Sequence, residues 1–451
     1  MIIAGQAWGG GGTINWSASL QTQGFVRQEW ANEGLPFFTS AAFQESLDRV
    51  CERMGVSTDS IQHNASNQIL MEGARRLGWA YKAVPQNTAG KEHACGHCTF
   101  GCGSCEKQGV VITYLPAAAQ AGAKFMEGFQ AEKVIFSHKG GDRVATGVIG
   151  TWRSRDINGG VAGGPVTQRK VVIKAKRVIV SAGTMQTPLL LLRSGIKNYH
   201  VGRNLHIHPV SLVGAFHERE IRPWDGACLT SVVSELDNLD GKGHGVKLEA
   251  TNMLPSSFLS FMPWKGGLQF KTTAARMKHL AGYISLARDR DTGQVYPDPV
   301  NGQVRFKYTT SGFDQQHVLE GLIGLAKIQY AAGALEIFTV QPGVPSFVRQ
   351  EGEDNDLRFA HWLEVVRKTG FPTPDGMFVS AHQMGTCRMA ASPKNGVVDP
   401  EGQVWGTKGL YVADASVFPS ASGVNPMVTN MAISDWISRG IAQRLAKAAQ
   451  L

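Results

Sequence analysis

The stretch from Phe378 to Ile437 constrains the fold of this chain more than any other. Val379-Ser380-Ala381 runs into His382, and a glycine turn follows at Gly385-Thr386-Cys387. A polar hairpin comes next, turned by Asp399-Pro400-Glu401-Gly402 and closed at Gly409. The apolar run Leu410 to Ala413 is of the buried-strand type and ends in Asp414. Gly423-Val424-Asn425-Pro426 then opens a segment in which Met427, Val428, Met431, Ala432, Ile437 and Ile441 recur at helical spacing. Asn is a good N-cap and Pro suits the first helical position, so the helix is predicted to begin at this pair. A helix start carries about half a positive charge and unpaired N–H groups, which suits a delocalised anion. His382 and Asn425 are expected to face one reacting centre from either side of the strand, loop and helix.

Two further strings point the same way. Near the N-terminus, Gly9-Gly10-Gly11-Gly12 precedes Thr13-Ile14-Asn15-Trp16. Successive glycines let backbone N–H groups wrap an anionic or planar ligand, although a flexible loop has the same composition. Farther on, Lys170 to Ala175 and Arg177 to Val180 read as β-branched strands. The second meets Ser181-Ala182-Gly183-Thr184-Met185-Gln186-Thr187-Pro188, where Thr187 is expected to cap a helix starting at Pro188 and ending at Gly195.

In order, HQMGT, VVDPEGQVWGTKGLYVADAS and GVNP resemble the C-terminal signature of the glucose–methanol–choline (GMC) family of FAD oxidoreductases. The string from Gly183 to Ile196 resembles the family's second signature, and GGGGTINWSASL resembles the glycine loop beside its flavin. The resemblance implies a mixed α/β (α+β) fold: a partial, Rossmann-like FAD-binding domain with an antiparallel-sheet substrate domain. It implies FAD as cofactor, with His382 and Asn425 over the flavin where an alcohol binds. The positions it places beside the cofactor are Gly10, Gly11, Gly12, Asn15, Val134 on the adenine strand, Gly183, Asp414, Ala415, Pro426 and Met427. Residues 1–20, 111–213 and 376–451 fall to the FAD-binding domain. Residues 21–110 form a helical and Cys-rich connection, and 214–375 the substrate domain. Family members open with a strand, a G-x-G-x-x-G turn and a helix that hold the FAD pyrophosphate. No such unit is found near this N-terminus, and the resemblance runs from Gly9 to about Ile441.

Between these strings, Phe43 to Val50 and Ser66 to Ala74 read as amphipathic helices, and Glu132 to Phe136 as a strand. Asp142 to Gly164, rich in glycine, reads as hairpins and turns. From about Gly214, strands alternate with turns, as in Gly282 to Arg288 and Val304 to Tyr308, which predicts an antiparallel sheet apolar on one face. A helix is expected over Phe313 to Ala332. The apolar segment Met253, Leu254, Phe258, Leu259, Phe261, Met262, Pro263 and Trp264 suits plain core, or the wall of a channel for an alkyl chain. In Val201-Gly202-Arg203-Asn204-Leu205-His206-Ile207-His208, the histidines are expected to fix a turn below the flavin.

Cys95, Cys98, Cys102 and Cys105 follow the spacing C-x2-C-x3-C-x2-C, which suits zinc, an iron–sulfur cluster, or structural and redox thiols. The surrounding segment resembles the Cys-rich segment of the long-chain fatty alcohol oxidase branch. That branch implies no cluster and leaves these thiols as candidates only. Seven cysteines with four clustered do not form a secreted disulfide scaffold. The net charge of +9 comes without a Lys/Arg block interleaved with aromatics, so no nucleic acid partner is expected. Spread positive charge suits an anionic membrane surface. No apolar run is long enough to span a bilayer. The C-terminal AQL is a weak relative of the S-K-L peroxisomal address. Intracellular, membrane-associated and peroxisomal locations all stay open.

The expected reaction is oxidation of a long-chain primary alcohol by oxygen, giving the aldehyde and hydrogen peroxide. The thiol run keeps a flavin and iron–sulfur dehydrogenase as the alternative. The missing pyrophosphate unit keeps a chain unable to hold FAD as another.

Overall fold

Two strands buried along their whole length, Val210–Phe216 and Leu280–Ala287, lie at the heart of the larger sheet in the computed structural model, which describes residues 1–160, 163–262, 264–373 and 376–449. The sheet has seven strands, in the spatial order Phe347–Val348, Glu336–Thr339, Val210–Phe216, Leu280–Ala287, Val246–Ala250, Ser231–Val233 and Tyr81–Ala83. Every pairing is antiparallel. Successive side chains of a strand point to opposite faces. Val213, Ala215, Ala281 and Tyr283 therefore pack on one side with Leu322 and Leu325 of the helix Gly312–Ala331. Leu212, Phe216, Leu280 and Ile284 pack on the other with Met253 and Phe258. Both faces are covered, which corrects the expectation of a sheet apolar on one face. Met253 and Phe258 are core, whereas Trp264 is exposed. Pro263 of the same segment lies outside the described residues, as do Gln450 and Leu451 of the AQL ending.

The second core joins elements from both ends of the chain. The parallel pair Val178–Val180 and Leu410–Val412 packs among Leu47 and Val50 of the helix Ala41–Arg53, Leu191 of the helix Gly183–Arg193, and Ile433 and Ile437 of the helix Met427–Ala449. Beside it runs an antiparallel sheet of Phe129–Lys139, Asp142–Arg153 and Gln168–Lys174. The middle strand is shared by two antiparallel hairpins, as expected of this segment, but Asp142 to Arg153 is one continuous strand rather than a run of turns. Its glycines mark close approach, not turning: a Cβ on Gly147 would fall 2.2 Å from the Ile173 carbonyl oxygen.

The helix Gly183–Arg193 starts before Thr187 and keeps Pro188 inside it, against expectation. Pro188 has no N–H to give the Thr184 carbonyl. The Thr386 hydroxyl donates to that carbonyl instead, at 2.6 Å. A side chain from the His382 loop thus completes the helix. The helix near Asn425 begins one residue later than expected, because the Pro426 carbonyl accepts the first helical N–H, from Asn430 at 2.8 Å. Pro426 takes the cap position and frees the Asn425 side chain. Among the described residues, no helix is long and apolar enough to cross a membrane.

Candidate active site

His382 rides on a segment clamped from two sides. Val379 pairs with Val210, and the Ser380 hydroxyl donates to the Ile207 carbonyl. The Gly385 N–H reaches the Ala415 carbonyl at 3.1 Å. Gly385 has φ +89°, and a Cβ there would lie 2.4 Å from the Asn204 oxygen, so the loop can sit on the 201–208 turn only with glycine. That turn is organised by Asp289. Its carboxylate accepts the Ile207 and His208 amides at 2.9 and 3.0 Å and the Tyr308 hydroxyl at 2.8 Å. Burial works against the Asp289 charge. The hydrogen bond and proximity of His206, the neighbouring His208 and the Ile207 amide outweigh it and hold the carboxyl at about 2.

His208, wholly buried, is the link between the two halves of the site. Its Nε2 accepts the Gly423 N–H at 3.1 Å, and its Nδ1 lies 3.2 Å from Nδ1 of His382. Burial first, then the neighbouring His382, pushes the His208 pKa well down, so its ring is neutral. A neutral imidazole that accepts at Nε2 carries its hydrogen on Nδ1. His208 therefore donates to His382 Nδ1, and the geometry assigns the His382 hydrogen to Nε2. Desolvation lowers His382 to about 4, which keeps it neutral around pH 7. Gly423, at φ +68°, is required beneath this contact, since a Cβ would lie 2.9 Å from Arg288 Cδ. Arg288 secures the same loop by donating to the Ala421 carbonyl at 2.9 Å, and it pairs with Glu29 at 2.7 Å.

Asn425 does not cap its own helix. Its Nδ2 points to Oε2 of Glu249 at 3.4 Å, and the Asn425 carbonyl oxygen is buried without a partner. Glu249, on the strand Val246–Ala250, is 1% exposed, and its Oε1 is likewise unpartnered. Burial raises its pKa to about 7, against smaller opposing effects of the Asn425 hydrogen bond and the Lys247 charge. Sequence reasoning missed this residue. Lys247 and Glu249 alternate with apolar neighbours as a solvent-facing edge would, yet both are buried. Lys247 is accommodated by Asp237 at 3.3 Å and Gln23 at 3.1 Å.

The structure sorts the other sequence candidates. Asn15 touches the Met427 sulfur through its amide nitrogen, and its own carbonyl oxygen is buried and unpartnered. Gly10, Gly11 and Gly183 each face open space where a Cβ would stand, and Gly12 meets only the Val110 methyl groups at 3.7 Å. Gly183 and Asp414 hold each other, the Gly183 amide donating to Asp414 Oδ2 at 2.9 Å. The rest of the Asp414 carboxylate is taken by Thr187 at 2.5 Å and Ser416 at 2.8 Å, so it is an internal cap. Ala415 enters through its carbonyl, the acceptor for Gly385. Pro426 enters as the cap carbonyl. Val134 stands apart: it is buried in the second core, with its amide spent on Ser194 at 2.8 Å. Ser194 follows the helix Gly183–Arg193, whose eleven residues span roughly 16 Å from the Gly183 end. Orphaned acceptors on Asn15, Asn425 and Glu249, bare glycine backbone, and the start of a 23-residue helix with unpaired N–H groups fit the polar, planar ring system of a flavin.

Residues 1–210 and 278–434 match the N- and C-terminal family models described as GMC oxidoreductase. The chain is 34% identical over 464 residues to the long-chain-alcohol oxidase FAO4A of Arabidopsis thaliana, covering 99% of this chain and 60% of that protein. It is 28% identical over 438 residues to an uncharacterized GMC-type oxidoreductase of Mycobacterium tuberculosis, covering 96% of this chain and 64% of that one. The chain thus spans about 60% of the length of the Arabidopsis relative. Its fold is that of a formate oxidase from Aspergillus oryzae RIB40, at a TM-score of 0.69 and 15% identity, over 98% of this chain and 84% of that one. The two family matches, which together take in most of the chain, establish that it belongs to the GMC oxidoreductase family.

Proposed function

We propose that the protein oxidises a long-chain primary alcohol to its aldehyde with FAD as cofactor and oxygen as final acceptor, releasing hydrogen peroxide. The observation that carries this reading is the His382–His208–Gly423 chain of contacts, which sets a neutral imidazole against the helix start that bears Asn425. The likeness to a long-chain-alcohol oxidase over 99% of this chain supports the substrate class. FAD, when bound, supplies the two-electron acceptor for the hydride that leaves the alcohol carbon. Gly10 to Gly12, Asn15, Gly183, Met427 and the first N–H groups of the Asn425 helix are the residues that would hold it.

The side chains divide the remaining work. The His382 Nε2–H donates to the alcohol oxygen and steadies it as its proton departs. The free carbonyl oxygen of Asn425 accepts the hydroxyl hydrogen in the resting complex and so orients the alcohol. As the hydride leaves, the hydroxyl hydrogen turns from the Asn425 oxygen to the neighbouring carboxylate of Glu249, which takes the proton. It is the buried group beside Asn425 that titrates near neutrality, where a general base works best.

The test is the visible absorption spectrum of the purified chain. Flavin bands that bleach when 1-dodecanol is added without air, and return with hydrogen peroxide on admitting oxygen, are expected. A chain that takes up added FAD but is not bleached by the alcohol would overturn the substrate. A colourless chain that takes up no FAD would overturn the cofactor.

A further inference from the structure

The thiol run has a partner that its own spacing did not suggest. His93 lies just before it, buried, with Nε2 3.1 Å from the sulfur of Cys98, itself fully buried. Donor atoms of His93, Cys95 and Cys98 all fall within 4.8 Å of one another. In a tetrahedral zinc site, metal–sulfur bonds of about 2.3 Å and metal–nitrogen bonds of about 2.0 Å put neighbouring ligands roughly 3.3–3.8 Å apart. The three donors reach that spacing by small movements. On the other side of the ring, His93 Nδ1 lies 3.4 Å from Oε2 of Glu106, which Ser104 also holds. A carboxylate that takes one ring hydrogen leaves the opposite nitrogen free as a lone-pair donor, the pattern that orients histidine on a metal. Cys102 groups separately with His93 and Glu106, within the same limit, around the carboxylate that faces the other ring nitrogen.

The loop around these residues carries little regular structure of its own and is pinned by side chains from other segments. Between Lys91 and Thr113 the only helix is the three-residue turn Cys98–Phe100, and all seven cysteines are free. A connection of this length with so little secondary structure is uncommon in a compact domain unless it carries a function. We infer that His93, Cys95 and Cys98 bind one zinc-class divalent cation, with Glu106 orienting the histidine.

The ion would stiffen the floor of the glycine loop. Lys107 reaches from the same segment and donates to the carbonyls of Thr13 and Asn15 at 2.8 and 2.7 Å. The Trp16 indole N–H donates to Thr99 at 2.9 Å. This bracing role rests on the flavin reading given above, whereas the metal content does not.

The experiment is elemental analysis of the full chain, purified without chelators, with acid-labile sulfide and non-reducing thiol mapping on the same sample. About one zinc per chain and no sulfide are expected. Substituting cobalt should give a thiolate-to-cobalt band in the near ultraviolet. Cys95→Ser with Cys98→Ser should remove the metal, while Cys51→Ser, in the helix Ala41–Arg53, keeps it. Should the double variant not fold, Glu106→Gln serves in its place, with metal affinity lowered about 10–100-fold in a chelator competition. Metal-free protein, a Cys95–Cys98 disulfide, iron with stoichiometric sulfide, or an affinity unchanged in Glu106→Gln would each overturn the assignment. A zinc-loaded chain without flavin would leave the metal site standing and overturn the cofactor reading alone.

Discussion

Glu249→Gln should make the protein more stable and less active at once. The carboxyl titrates at 4.5 in an unfolded chain and at about 7 in the native site. Between those values the unfolded chain has released its proton while the native protein keeps it. The unfolded state then binds fewer protons, so stability falls as pH rises, and the loss is complete above 7. That interval, at roughly 1.4 kcal/mol for each pH unit, is worth roughly 3 kcal/mol. Glutamine has the same shape, still accepts the Asn425 amide, and never ionises. The variant should match wild type in urea melts at pH 4 and exceed it by about 2–3 kcal/mol at pH 8. Turnover should move the other way. Wild-type kcat should rise through an apparent pKa near 7 as the carboxylate forms. The variant should lose that limb and fall about 10²–10⁴-fold. Equal stability at both pH values, together with an unchanged profile and turnover, would refute both the buried-acid argument and the proton-acceptor role.

The other expectations concern the same site. His382→Ala should lower turnover about 10²–10³-fold, with the far-ultraviolet circular dichroism and bound FAD unchanged. His208→Phe should leave the Gly423 N–H unpaired at a cost of about 1–3 kcal/mol, and lower kcat by releasing the His382 tautomer; a wild-type kcat in a folded variant would sink the tautomer assignment. Glu29→Ala strips Arg288 of its anion and should cost about 2–4 kcal/mol in chemical denaturation, since the guanidinium stays buried. On the acid side, His382 and His208 stay neutral in the native protein while their unfolded counterparts take protons below 6.5. Stability should therefore decline from pH 6.5 toward 4, and less steeply in His382→Gln, as read by melts across that range.

The sequence made some features plain and hid others for identifiable reasons. The antiparallel sheet, the helix Met427–Ala449 and the two signature loops follow from patterns that physics repeats, namely apolar periodicity, glycine at positive φ and proline near a helix start. Asn425 misled because a good capping residue beside a proline has an evident local use, and only the fold reveals Glu249 across from it. Asp142–Arg153 misled because glycine punctuates turns and also admits close strand packing, and the choice depends on Ile173 and Gln130 in neighbouring strands. Pro188 belongs inside a helix only because Thr386 supplies the missing donor from far along the chain. Glu249 and Lys247 alternate like a wet edge, and the burial that changes their meaning comes from other segments.

The loop from Ser420 to Asn425 is held by partners that lie far from it in sequence. Arg288 joins it from 133 residues away, and Arg288 in turn pairs with Glu29 across 259 residues. His208 reaches Gly423 across 215. Contacts so distant in sequence carry the largest loop-closure entropy and form slowly. Both cores must be in place before His208 can meet Gly423, so a half-folded chain has neither the Nε2–H of His382 nor the position of Asn425. On the proposed function, turnover should return after dilution from denaturant only as the two cores join, which makes its recovery a clock for that step.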